Sequence, residues 1–528
     1  RSGFTKTDND HFQGIFNAEY EIVKGLKAKG VFGLDLSPNH RLIRRFYVPI
    51  YDLSGSDTPI NASASNNYSI EDYNGKAVAL NNQFLLDFNR NFNKDHNVTA
   101  LAGYSRESYR IEENEIRKQF VDPELGVPID STIVDVASYN TPEGTVERSL
   151  ISWFGRVGYA YKDRYFAEAS MRYDASSRFG RNNRWGFFPS VSLGWRASEE
   201  NFMRTYKERV GELKIRGSYG ALGNQSAPDY QSFTTYDIYN NQYGFNNNAV
   251  SGTGYTFGNP SIRWETSNTF NIGADAGFFQ NKLNVSFDYF HKLTTGILLR
   301  PTVPGTLGGA VSFDNLGKMI NQGWDLTINY RLNHNNDFNH TFGFNIGDSR
   351  NEVKSIEGDE RIDKSDEIER ITRVGLPYAS YYGYKTDGYF RNQEEILSAA
   401  VPIGADLRPG DIRYVDRNED GIIDDSDRFV LGNAFPRFTF GFTYNFAWKG
   451  FDLGMLWQGV GKREMAIRGE SIEPFHSNYS FVIFQHQLDY WTPDNQDARY
   501  PRLTAPSTSS TANNYGKGSD LQIFNAAY

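Results

Sequence analysis

Tyr165-Phe166-Ala167-Glu168-Ala169-Ser170-Met171-Arg172-Tyr173-Asp174 alternates with a two-residue period. Tyr165, Ala167, Ala169, Met171 and Tyr173 fall on one side, and Phe166, Glu168, Ser170, Arg172 and Asp174 on the other. Successive side chains of an extended chain point to opposite faces, so the stretch reads as a strand with one apolar and one polar face. The pattern recurs in both directions along the chain. Val191, Leu193 and Trp195 alternate with polar neighbours, as do Ile215, Gly217 and Tyr219; Val285, Phe287 and Tyr289; Leu326, Ile328 and Tyr330; Phe342, Phe344 and Ile346; and the row from Phe438 to Phe446. About fourteen such segments are predicted: 14–24, 27–36, 80–91, 97–109, 151–161, 165–174, 187–197, 212–221, 267–278, 282–291, 322–332, 340–348, 437–447 and 451–460. A strand of about ten residues tilted by about 45° climbs roughly 23 Å, close to the apolar band of an outer-membrane barrel.

The connections carry a second signal. In chain order the odd-numbered ones span 2, 5, 3, 14, 3, 7 and 3 residues, and the even-numbered ones 43, 41, 12, 45, 30 and 88. Antiparallel neighbours run in opposite senses, so short turns gather at one end of the sheet and long loops at the other. Short periplasmic turns and long extracellular loops are the asymmetry of outer-membrane barrels. Aromatic residues border the short turns: Tyr161 and Tyr165, Phe278 and Phe279, Trp448 and Phe451. Tyr and Trp favour a membrane–water interface because one end is apolar and the other wet.

Composition narrows the classes. The chain has 528 residues, no Cys, a net charge of −9 and 15% aromatic residues. Its mean hydropathy is −0.59. Disordered chains are aromatic-poor, so disorder is excluded. Without Cys there is no disulfide framework, thiolate zinc site or Cys nucleophile. The acidic balance argues against nucleic acid as a partner. No apolar run is long enough for a transmembrane helix. Arg1-Ser2-Gly3-Phe4 is not a signal peptide, and Ile523-Phe524-Asn525-Ala526-Ala527-Tyr528 begins a new apolar alternation, so an internal fragment is expected.

The alternation alone fits a soluble sheet with its apolar face inward or a membrane barrel with that face outward. Strand number separates them. Fourteen or more strands closed into one barrel leave a bore too wide for side chains to fill, which suits a polar, wet interior and an apolar exterior. The predicted class is all-β: a large antiparallel transmembrane β-barrel.

Five groups of residues carry a family resemblance. They are Trp153-Phe154-Gly155-Arg156-Val157-Gly158-Tyr159 with Arg172-Tyr173-Asp174-Ala175-Ser176-Ser177-Arg178-Phe179 and Gly186-Phe187-Phe188-Pro189-Ser190; Asn259-Pro260-Ser261-Ile262-Arg263-Trp264-Glu265; Asn315-Leu316-Gly317 with Asn321-Gln322-Gly323-Trp324; Arg408-Pro409-Gly410-Asp411 running into Asp416-Arg417-Asn418-Glu419-Asp420-Gly421; and Tyr490-Trp491-Thr492-Pro493. Through residues 150–500 the sequence resembles the SusC/RagA-like TonB-dependent transporters of the Bacteroidetes outer membrane. The resemblance implies a 22-stranded barrel filled by an N-terminal plug and capped by a SusD-like surface lipoprotein. It implies active import of large nutrients, oligosaccharides or peptides, with TonB-derived energy and outer-membrane lipid around the barrel. Residues 1–528 would then be part of the barrel, with the plug, its TonB contact and C-terminal strands elsewhere in the whole protein. A passive porin-type channel and a soluble or surface carbohydrate-binding β protein remain open alternatives.

One motif points to a metal. Asp416, Asn418 and Asp420, then Gly421, the Ile422 carbonyl, Asp424 and Asp427, follow the spacing of an EF-hand calcium loop. A hard cation takes six to eight oxygens, and alternate residues of a tight loop converge them. Asp427 stands where such loops usually have Glu, and its shorter side chain falls short of Glu's bidentate reach. The expected Ca2+ would be structural, pinning the long loop 349–436; an Asx-rich turn without metal has the same residues. No catalytic residues are expected: paired carboxylates such as Asp424-Asp425 and Glu199-Glu200 have nothing to position them, and the His residues lack metal spacing. Substrate contacts are unassigned. Tyr236, Tyr239, Tyr243, Phe245, Tyr381, Tyr382 and Tyr384 could stack on sugar rings, although loop packing is the stronger reading, and Asn240, Asn241 and Asn246 to Asn248 mark a solvated loop.

Overall fold

The computed structural model describes residues 3–45, 51, 69–120, 133–139, 145–245, 248–333, 338–358, 360–364, 368–475, 482–504, 513–515 and 517–528. Its strands of the predicted kind belong to a sixteen-stranded antiparallel sheet. The chain divides into two compact units, residues 1–192, 220–265 and 300–314 in the first and 193–219, 266–299 and 315–528 in the second.

In the first unit the sheet order follows the chain: Gly3–Asn9 and Phe12–Val23 both pair with Leu26–Arg45, followed by Ser69–Phe92, His96–Phe120, Val146–Tyr161 and Tyr165–Ser176. In the second, Glu265–Phe278 and Leu283–Leu299 form a hairpin, and Asp314–Asn333 pairs with Phe338–Ser355, which pairs with Arg437–Trp448 and then Phe451–Lys462. Each of the fourteen predicted segments matches one of these strands or Trp185–Trp195 or Leu213–Asn224, overrunning it by at most two residues.

Boundaries at the short-turn ends match the sequence reading within a few residues. At the long-loop ends the strands run on. The segment predicted at 27–36 reaches Arg45, that at 80–91 begins at Ser69, that at 97–109 reaches Phe120, and that at 340–348 reaches Ser355. The backbone ladder needs no alternation once it leaves the apolar band, so the sequence carries no signal there. Gly3–Asn9 and Ile133–Tyr139 were missed for the same reason: they pair with those extensions.

Short turns use left-handed residues. Lys162 and Asp163 have φ of 52° and 51°, and Lys449 and Gly450 have 45° and 90°. Two positive φ values in succession match the twist of the flanking strands. Aromatic residues at these turns make ring contacts: Tyr161 and Tyr165 stack at 6.4 Å, and Trp448 lies 6.1 Å from Phe338 on the neighbouring strand. The predicted turn around 334–337 lies outside the described residues.

Burial sets the direction of the sheet. Tyr173 faces Trp153 across the ladder, Met171 faces Gly155, and Asp174 faces Ser152. Met171 and Trp153 are each 56% exposed, while Ser152 and Asp174 are 0% and 6% exposed. The second unit repeats this, with Phe270, Ile272, Phe287 and Tyr289 all exposed. A water-soluble sheet buries its apolar row, so these rows require an apolar solvent.

Above the apolar band the first unit has its own core. Phe179 and Phe188 pack on Trp264 at 5.2 and 5.3 Å, and the Trp264 indole N–H donates to the Arg184 carbonyl at 2.8 Å. The three motifs carrying these rings therefore meet at one point. A Cβ on Gly223 would enter the Phe188 ring. Gly223→Ala is expected to destabilise the protein by about 1–3 kcal/mol through overpacking. Denaturant unfolding in detergent checks this; an unchanged midpoint would show that the cluster repacks freely.

Candidate functional site

The polar face of the second unit is built from charge pairs. Arg216 donates to both oxygens of Asp288, each at 2.6 Å, and through Nε to Asp275 at 3.1 Å. The Ser286 hydroxyl donates to Asp275 at 2.6 Å. A planar guanidinium presents its donors in a fork, so one Arg can tie three strands together. In the first unit Lys29 lies between Glu19 at 3.2 Å and Asp87 at 3.3 Å, and Lys27 pairs with Glu19 at 2.5 Å. Both faces are polar and cross-linked.

The long segment expected as a loop at 349–436 is a folded module. Glu360–Asp363, Arg370–Arg373, Ser380–Tyr384 and Arg428–Gly432 form a four-stranded sheet, and Thr386–Tyr389 pairs with Ile412–Tyr414. Helix Gln393–Ser398 is capped by Asn392, which accepts the Glu395 N–H at 2.9 Å. One apolar cluster holds Tyr384, Ile412, Tyr414 and Ile423, and another Phe390, Ile396 and Leu407.

Residues 489–504 and 513–515 close this module through a buried polar hub. Asp411, fully buried, accepts from the Arg408 N–H at 2.9 Å, Arg502 Nε at 2.8 Å and Asn514 Nδ2 at 3.1 Å. Asn514 Oδ1 accepts the Ile412 N–H at 2.9 Å, and the Tyr414 hydroxyl donates to the Asn513 carbonyl at 2.6 Å. Burial pushes the Tyr414 phenol far above its ordinary range and Tyr384 up to about 12, so Tyr414 stays a donor. Gly410 has φ of +93°, and any Cβ there would enter the Trp491 ring. Arg408-Pro409-Gly410-Asp411 and Tyr490-Trp491-Thr492-Pro493, about 80 residues apart, therefore make one contact. In the sequence alone nothing joins the two motifs.

The calcium-like residues all lie within one loop of this module. Asp416 accepts the Glu419 and Gly421 N–H groups at 2.7 and 2.8 Å, Asn418 accepts the Asp420 N–H at 3.3 Å, and Asp420 accepts the Ile422 N–H at 2.9 Å. Asp424 accepts the Ser426 N–H at 2.8 Å, which holds its carboxyl below the usual range. Asp427, fully buried, accepts from the Arg417 and Asp424 N–H groups, both at 2.8 Å. Among the described residues no group of three or more His, Cys, Asp or Glu side chains is arranged to hold a metal ion. The carboxylates close the loop by bonding to its own backbone.

Tyr381, Tyr382 and Tyr384 are buried, which makes them packing residues of the module. Arg428 lies 4.9 Å from the Tyr382 ring centre and pairs with Glu369. Tyr236 is exposed. The side chains of Tyr239, Tyr243, Phe245, Asn240, Asn241 and Asn246 to Asn248 lie outside the described residues. The Arg216 clamp and the Asp411 hub were not foreseen. Alternation puts Arg216, Asp275 and Asp288 on the polar side of their strands, but their meeting depends on register.

An exposed apolar exterior, a charge-paired polar face and short left-handed turns define an outer-membrane β-barrel wall. The chain belongs to the TonB dependent receptor-like β-barrel family, whose model matches residues 2–466. It is 30% identical over 513 residues to TonB-dependent receptor P26 of Formosa agariphila, covering 92% of this chain and 50% of that protein. It is 29% identical over 333 residues to TonB-dependent receptor SusC of Bacteroides thetaiotaomicron, covering 62% of this chain and 32% of that protein. The solved RagAB peptide transporter shares its fold, with a TM-score of 0.77 at 20% identity over 99% of this chain and 55% of that one. The chain thus spans about half the length of these relatives. These likenesses agree with the SusC/RagA-like resemblance and with an outer-membrane location in a Bacteroidetes-like Gram-negative bacterium.

Proposed function

We propose that the whole protein actively imports large nutrients, oligosaccharides or peptides, across the outer membrane, with energy delivered through TonB and a SusD-like lipoprotein as its lid. Membership of a TonB-dependent receptor family, in a chain whose apolar rows face outward, carries this reading. In it, the plug that contacts TonB and the remaining barrel strands belong to the whole protein beyond residues 1–528. The half-length match to the relatives supports that division. Cargo passes unchanged, so the protein is a transporter and not an enzyme. Uptake of labelled oligosaccharides and peptides by cells with and without TonB tests the proposal. Uptake is expected to fall to background without TonB; uptake that persists would establish a passive porin instead.

Calcium at the 416–427 loop is proposed as a structural supplement. Each carboxylate oxygen keeps a second lone pair beyond the N–H it accepts. Asp416, Asn418, Asp420, the Ile422 carbonyl, Asp424 and Asp427 would supply the oxygens. Limited proteolysis of the purified protein in calcium and in chelator is the check. Slower cleavage of the module in calcium is expected, and identical cleavage in both would dismiss the ion.

A further inference from the structure

The apolar face of the first unit carries a groove of about 820 Å³. Its floor is one row across the sheet: Leu86 pairs with Ala102, Ala102 with Gly155, and Gly155 with Met171. Paired residues project on the same face, so the small Ala102 and Gly155 leave a gap between Leu86 and Met171. The next row towards the long loops is large: Phe84, Tyr104, Trp153 and Tyr173. The Tyr104 and Trp153 rings meet at 4.8 Å, and Tyr173 stacks on Trp185 at 4.5 Å. A Cβ on Gly155 would find only ordinary contacts, 3.5 Å from the Leu101 carbonyl oxygen and 3.8 Å from Met171 Cε. The gap is therefore open space that no packing in this chain fills.

A cation stands one row above the aromatic wall. Arg106 follows Tyr104 by two residues, so it projects on the same face, and it is exposed. Across the ladder it faces Asn82 and Ile151. Along its strand it adjoins Tyr104 and Ser108, and its diagonal neighbours Leu80, Phe84, Ser149 and Trp153 carry no charge. Among the described residues no carboxylate pairs with Arg106. The next cation up this face, Arg110, is held by Glu147 at 2.8 Å. Arg106 lies ten residues beyond His96, which borders the short turn at 93–95. At about 3.3 Å per residue and a tilt of about 45°, it stands roughly 23 Å from that turn, at the far rim of an apolar band about 25 Å tall. Short turns are periplasmic, so this rim is the extracellular one.

We propose that this groove holds an acyl chain of a phosphorylated lipid of the extracellular leaflet, with the phosphate on Arg106. A guanidinium presents its donors in a fork that matches phosphate oxygens. Asn82 and Ser108, its neighbours on this face, add an amide and a hydroxyl donor. Below them the chain passes the Tyr104 and Trp153 rings and enters the gap at Gly155, where it makes the dispersion contacts that Ala102 and Gly155 leave unmade. A lipid without phosphate would fill the groove but leave Arg106 unpaired. A second copy of this chain meeting the same row would bring no anion, because Phe32, Asn82, Arg106, Ile151 and Ala175 include no acidic residue. The site lies on the lipid face and is independent of the cargo and of its energy source.

Native mass spectrometry of the complete protein in detergent, titrated with monophosphoryl lipid A, tests this. One tightly bound lipid per protein is expected. Using dephosphorylated lipid A, or Arg106→Gln, should each weaken binding by about tenfold, the worth of one charge-assisted hydrogen bond. Combining the two should cost no more than either alone. Gly155→Ile, which fills the gap, should also weaken binding. Arg90→Gln is the control: Arg90 is exposed on the same face at the short-turn end, over the Phe92 ring, and its loss should change nothing. The dephosphorylated lipid is measured on unaltered protein, so that result does not depend on a variant's folding. Inorganic phosphate at the same concentration should leave the lipid bound. The proposal is overturned if the two lipids bind alike, if Arg90→Gln weakens binding as much as Arg106→Gln, if Gly155→Ile binds undiminished, or if inorganic phosphate displaces the lipid.

Discussion

Met171→Arg is expected to destabilise the protein by about 2–4 kcal/mol in a bilayer, the cost of a cationic side chain on the lipid face near mid-depth. Met171 lies six residues above Tyr165, whose ring sits beside Tyr161 at the short turn Lys162-Asp163. At about 3.3 Å per residue and a tilt of about 45°, that is roughly 14 Å into the apolar band. The side chain is more than half exposed and faces Gly155 across the ladder. Were this row in water, the same substitution would stay within about 0.5 kcal/mol, as exposed changes usually do. Ser170→Asn, on the polar face, is the control and should be close to neutral. Folding into lipid vesicles, followed as a denaturant midpoint, measures both. Equal midpoints for Met171→Arg and the parent protein would remove the physical basis of the membrane reading.

Asp411→Ala is the second large effect, at about 3–5 kcal/mol, the usual cost of stripping one partner from a buried ion pair. The substitution leaves Arg502 Nε, Asn514 Nδ2 and the Arg408 N–H without the acceptor they now share. It also unseats the turn that places Gly410 beneath Trp491. Loss should be confined to the module, because its clusters around Tyr414 and Phe390 are separate from the sheet's charge pairs. Limited proteolysis is expected to cut within residues 356–436 while the sheet strands stay protected. Cleavage no faster than in the parent protein would show that the hub is dispensable.

Much of the sheet could be read from the chain because its rule is local. A period of two needs only neighbouring residues, and an apolar solvent makes that period strict wherever a strand crosses it. Strand ends at the short turns were legible for the same reason. Above the band the rule lapses, so the extensions to Arg45, Phe120 and Ser355 and the strand Gly3–Asn9 left no pattern. The module at 349–436 looked like a loop because its strands have three to five residues, too few to show a period. The Asp416–Asp427 motif was visible as a string of acceptors. Its hydrogen bonds to Glu419, Gly421 and Arg417 N–H groups depend on the folded backbone.

The amino-acid order by itself determined the strand positions, the two unlike faces of each strand and the crowding of aromatic residues at the short turns, since each follows from side chains a few residues apart. Strand number argued for an apolar exterior, and the exposure of rows such as Met171 and Trp153 bears that out. Only the tertiary structure set which polar partners meet. Arg216 reaches Asp275 and Asp288, Trp491 covers Gly410, and Arg106 shares a row with Asn82. Those pairings depend on register between strands and on contacts tens of residues apart, and one residue of slip would turn each side chain to the opposite face.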